Sequence, residues 1–203
     1  MTVFVNPLAL GPLVLVTAVS EAEGSRGAAA ALACAGAEVD SAPLLIDIGG
    51  RVPRPTLIGS AAAQQLEGRL KAQLPGAKVA ARGQVCHLAA PVDSEGLELV
   101  AAAAATARER SVVIHLPPQL LQGALDGPGL RPSAVLLRAD LGRDRALVAL
   151  AVRGLIERGI ATGVLKRRLS WVAERRALFG VLPAGSAGAL PERLVRRLNR
   201  APR

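Results

Sequence analysis

Aromatic side chains are nearly absent, with two Phe, one Trp and no Tyr in 203 residues. Binders of single-stranded nucleic acid stack bases on exposed rings, and this chain has too few rings to build such a platform. The same scarcity argues against a carbohydrate-binding face. Cysteine is scarce as well, at two. Cys34 and Cys86 stand far apart and form no C-x-x-C pair, so they read as buried reduced thiols rather than a disulfide framework. Cys86 is followed by His87 in a predicted strand, where neighbours point to opposite faces. They are poorly placed to share a metal, and no metal site is expected. The N-terminus MTVFVNP lacks the basic start of a secretory leader. The apolar run Leu8–Val19 is broken by Gly11–Pro12 and is too short to span a bilayer. A soluble, cytoplasmic chain is the expectation.

What is present is a core-forming composition, 51% hydrophobic and dominated by Ala, Leu and Val. The length suits a single domain over residues 1–203. Lys and Arg balance Asp and Glu through residue 150, so the whole net charge of +9 falls in residues 151–203. That basic C-terminal third reads either as solvated helix faces or as a surface for an acidic partner, nucleic acid or anionic lipid.

Short β-like runs alternate with helical stretches. Strands are expected at Leu13–Val16, Leu44–Ile48, Lys78–Ala81, Gln84–Ala89, Ser111–Leu116, Ala134–Leu137, Ala161–Leu165 and Phe179–Leu182. Helices are expected at Ala28–Ala35, Thr56–Leu70, Ser94–Arg110 with Ser94 as N-cap, Asp144–Arg158, Arg168–Leu178 and Pro191–Leu198. Strands rich in Val, Leu and Ile that alternate with helices predict an α/β fold, a mostly parallel sheet with helices on both faces. Sites in such folds form at the carboxyl ends of the strands.

The order of landmarks carries a resemblance. A strand, a loop and an alanine-rich helix span "GPLVLVTAVSEAEGSRGAAAALACAGA"; then follow "APLLIDIGG", "RSVVIHLPPQLL", "PSAVLLRADLGRDRALVALAVRGLIERGIATGVLKRR" and "ALFGVLPAGSAGALPERLVRRL". Over roughly residues 11–200 this resembles the ParA/MinD family of P-loop ATPases, most closely its TadZ/CpaE-like members of pilus and secretion machinery. The resemblance implies a P-loop NTPase-like fold. The family's phosphate loop, K-G-G-x-G-K-[ST]-[ST], is replaced by Ser20-Glu21-Ala22-Glu23-Gly24-Ser25-Arg26-Gly27. Only Gly24 matches. Ser20 stands for the signature lysine, Ser25 for the phosphate-gripping lysine and Arg26 for the magnesium hydroxyl. Glu21 and Glu23 add negative charge where a phosphate would sit. His115-Leu116-Pro117-Pro118 replaces the family's D-x-P-P, and neutral imidazole does not suit magnesium, which takes oxygen ligands. Asp47 keeps the aspartate that ends the second strand, and Lys166 stands where many members place an adenine-reading asparagine.

Loss of these groups together points to a fold retained without its chemistry. Ser20, Gly24, Ser25, Arg26, Asp47, His115 and Lys166 are then vestigial nucleotide-site positions, with no catalytic residue, no cofactor and no metal. Other catalytic patterns are not found: "GSAG" is no nucleophile elbow, and His115 reads as a structural or loosely polar histidine. Asp144, Asp93 and Glu95 read as helix-start charges. The expected role is a non-catalytic scaffold, localisation or regulatory protein of a larger machine such as pilus assembly or secretion, binding protein partners, with a homodimer also open. Arg193, Arg196 and Arg197 on the closing helix are the candidate partner-binding residues. Two alternatives stand beside it: an unconventional ATPase using Arg26 and Asp47, and a nucleic-acid or membrane-surface binder using the basic third.

Overall fold

Apolar strands and helices alternate through the computed structural model, which describes residues 13–19, 24–37, 42–51, 58–127, 129–139 and 144–166. The strands are β1 (Leu13–Ala18), β2 (Leu44–Ile48), β3 (Lys78–Arg82), β4 (Val85–Ala90), β5 (Val112–His115), β6 (Ala134–Ala139) and β7 (Ala161–Lys166). The helices are α1 (Ser25–Gly36), α2 (Ala61–Gln73), α3 (Ser94–Thr106), α4 (Leu121–Asp126) and α5 (Arg145–Glu157). The strands form one seven-stranded sheet in the order β3-β4-β2-β5-β1-β6-β7. Among the described residues only the β3–β4 pair is antiparallel. Crossing from β1 over β5 to β2 requires a helical connection, and α1 supplies it.

Helices cover both faces, as expected. On one face α1 packs its alanines, Ala28 to Ala33, against Val14, Val16, Leu45, Val113 and Leu136. These side chains are small enough for α1 to be buried almost all round. On the other face Leu66 and Leu70 of α2, Val100 of α3, Ala124 of α4 and Leu155 of α5 join Leu15, Ile46, Leu88, Ile114 and Leu137 from the strands. Isoleucine, valine and leucine on both faces of the central strands are what a twice-covered parallel sheet demands.

Several helix ends differ from expectation. α1 starts at Ser25 rather than Ala28, because Gly24 adopts φ 104°, a left-handed turn that favours glycine, and its carbonyl accepts from Ala28 N. α2 starts at Ala61: Ser60 accepts from Ala63 N, while Gly59 is taken by a bridge to Gly83. Asp93, not Ser94, caps α3, its Oδ1 accepting from Gly96 N at 2.8 Å. α3 ends at Thr106, short of Arg110. Residues 118–126, expected to carry no element, form a 3-10 turn and α4. Pro118 opens that turn, where its missing N–H costs nothing. Asp144 occupies the N-cap position of α5 without a side-chain cap bond. Cys86 is buried, but Cys34 is only partly so. Burial pushes the Cys86 thiol up to about 12, with the Glu67 carboxylate adding to the rise. Among the described residues no helix is long and apolar enough to cross a membrane. The elements expected beyond Lys166 lie outside the described residues.

Candidate functional site

Parallel β1, β2 and β5 end at one edge of the sheet, beneath the start of α1. Register makes Asp47 of β2 and His115 of β5 cross-strand partners, with Val16 of β1 on the other side of His115. Partners on adjacent strands project to the same face, and here that face is the one α1 covers. The turn at Gly24 then delivers the first two residues of α1, Ser25 and Arg26, onto this pair.

The four side chains form a continuous network. Ser25 Oγ lies 3.0 Å from His115 Nε2. His115 Nδ1 lies 2.8 Å from Asp47 Oδ1. Arg26 Nε donates to the same carboxylate and is 3.0 Å from each of its oxygens. Ser25, His115 and Asp47 are buried, while the Arg26 side chain remains 42% exposed. Burial alone would raise the Asp47 pKa, but the hydrogen bond and charge of His115, joined by Arg26, hold it below its ordinary 3.8. Asp47 is therefore ionised and can only accept, so the shared proton belongs to His115 Nδ1. In the neutral ring Nε2 then accepts from the Ser25 hydroxyl.

The loop after Asp47 is shaped around the carboxylate. A Cβ on Gly50 would overlap the Asp47 carboxyl, and one on Gly49, at φ 76°, would press on Val92. In "DIGG" the second glycine thus leaves room for the carboxylate, and the first makes the turn beside Val92. A pocket of about 360 Å³ lined by Gly50, Arg51, Lys78 and Val79 opens nearby, and none of the four network side chains lines it. Among the described residues no group of His, Cys, Asp and Glu could hold a metal ion.

No protein-family model and no curated protein sequence matches the chain. Solved structures do. A ParA family ATPase from Chlorobium tepidum TLS superposes with a TM-score of 0.55 at 14% identity, over 94% of this chain and 99% of that one. The MinC:MinD cell division protein complex of Aquifex aeolicus gives 0.54 at 14% identity, over 95% and 97%. A plasmid partition protein from Borrelia burgdorferi gives 0.53 at 11% identity, over 93% and 98%. The fold is that of the ParA/MinD ATPases. At these identities the likeness establishes the architecture and leaves the chemistry to the residues.

Within this ParA/MinD-like frame, the positions singled out in the sequence converge. Gly24, Ser25, Arg26, Asp47 and His115 meet at one strand edge. Lys166 ends β7, next to β6 on the same edge, and only its strand position is described. Ser20, Arg193, Arg196 and Arg197 lie outside the described residues. One expectation needs correcting. Of the two roles expected for His115, structural or loosely polar, the loosely polar one does not hold, because both of its ring nitrogens are engaged within hydrogen-bond distance. The sequence presented Ser25 and His115 as two separate losses, yet the fold makes them partners. The available signal was that His115 ends β5 and Ser25 opens the helix that follows β1, the strand beside β5 in this topology.

Proposed function

We propose that the chain is a pseudo-ATPase: a ParA/MinD-like scaffold, localisation or regulatory protein inert toward nucleotide. The carrying observation is the closed network of Ser25, His115, Asp47 and Arg26. Its residues stand at positions which the family resemblance assigns to phosphate lysine, magnesium carboxylate and magnesium hydroxyl. Arg26 already neutralises Asp47 through both carboxylate oxygens. Recruiting Asp47 to magnesium would take a buried carboxylate away from the guanidinium that neutralises it. Ser25 offers no charge to a phosphate, and His115 offers nitrogen to an ion that prefers oxygen. Calorimetric titration with magnesium–ATP tests this reading.

A cytoplasmic role beside a pilus or secretion machine, through protein partners, completes the proposal. The Aquifex neighbour is itself a complex of MinC with MinD, which supports a protein-binding use of this fold. The charge of residues 151–203 supports an acidic partner, met through Arg193, Arg196 and Arg197. Reversing those three charges should weaken partner capture in a salt-dependent way while leaving circular dichroism unchanged; capture equal to wild type would remove the arginines from the proposal.

A further inference from the structure

Ser25, His115 and Asp47 have the mutual geometry that a serine nucleophile requires. The ionised Asp47 fixes the proton on His115 Nδ1, which directs the Nε2 lone pair at the Ser25 hydroxyl, 3.0 Å away. Ser25 is the first residue of α1 and follows the turn at Gly24. The backbone N–H groups of Arg26 and Gly27, in that same first turn, have no helical carbonyl behind them, and among the described residues no side chain caps the helix. Negative charge developing beside Ser25 Oγ would meet those donors and the positive end of the helix.

We infer that Ser25 is an acyl-accepting nucleophile toward small activated carboxylic esters, with His115 as its general base and Asp47 as the group that orients the imidazole. Ser25 Oγ attacks the ester carbonyl while its proton passes to His115 Nε2. The bond from the carbonyl carbon to the leaving oxygen then breaks, and the leaving alkoxide or phenoxide takes that proton from Nε2. The acyl group stays on Oγ until water, giving a proton to the same nitrogen, attacks the carbonyl carbon; the bond to Oγ breaks, Nε2 returns the proton to Oγ, and the carboxylic acid leaves. Ser25 is 7% exposed, which restricts the acyl group to a small one. Arg26 competes for the carboxylate that must steady the imidazolium, so release is slow and the acyl-enzyme accumulates. This chemistry is separate from nucleotide inertness, and its failure would leave the pseudo-ATPase reading intact.

The test uses the full chain with p-nitrophenyl acetate, read by phenolate release and by peptide mass mapping. The expected result is one acetyl group per chain on Ser25, none at that position in Ser25→Ala, and acetylation slower by about 100-fold or more in His115→Gln. The mapping of the acetyl group to Ser25 in the unaltered chain is a readout that holds even where a variant fails to fold. An unmodified Ser25 would overturn the inference. So would equal rates in wild type and a folded His115→Gln.

Discussion

Gly50 lies against the carboxyl of Asp47, so close that any side chain at position 50 would occupy the space of that carboxylate. The contact couples the loop after β2 to the network under α1. Gly50→Ala must displace either the loop or the carboxylate, and should cost about 1–3 kcal/mol, the usual range for forcing a group into filled space. Gly68 is the control: it sits on the exposed side of α2 with nothing near its virtual Cβ. Gly68→Ala should add about 0.5–1 kcal/mol, through helix propensity. Urea unfolding of the two variants checks the pair, and a neutral Gly50→Ala would show that Asp47 is not held as described.

Asp47 should govern part of the acid limb of stability. Burial by itself would raise its pKa, but His115 and Arg26 lower it below 3.8. A carboxylate with a depressed folded pKa contributes stability that is full above 3.8 and is lost as pH falls through the lower folded value. Asp47→Asn should therefore reduce stability at neutral pH by about 1–3 kcal/mol and flatten the loss below pH 3.8. Denaturant unfolding across that range reads both effects, and parallel pH profiles would contradict the assignment.

His87 should act in the opposite sense from a useful partner. It is buried on β4, and its Nε2 has no hydrogen-bond partner among the described residues. Burial lowers its pKa from 6.5, partly countered by the charge of Asp47. The unfolded chain therefore takes up the proton first, so stability is full above pH 6.5 and falls as pH drops toward the folded value. His87→Leu should remove that loss and raise stability near neutrality by about 1 kcal/mol. Thermal melts at a series of pH values between 7 and 5 measure it; a variant less stable than wild type at each would mean that His87 has a polar role.

The central strands were legible because Val, Leu and Ile dominate them between turn residues, and β2 matches its expected bounds at both ends. Helix starts were less legible. The choice between Asp93 and Ser94 depends on which oxygen reaches an N–H three residues on, a matter of one backbone rotation. Pro117–Pro118 read as a stop, although proline equally opens a helical turn. The residues of the site were legible one by one, but their network was not. Ser25 and His115 are 90 positions apart, and their contact follows only from β5 lying between β1 and β2.

The central claim, a ParA/MinD-like fold whose phosphate site is closed by its own side chains, is tested most directly by isothermal titration of the full chain with ATP and magnesium. The account predicts no heat of binding beyond dilution at micromolar concentrations, with or without the metal. Magnesium-dependent binding in the micromolar range would contradict it, and would mean that Arg26 and His115 release Asp47 to a nucleotide after all.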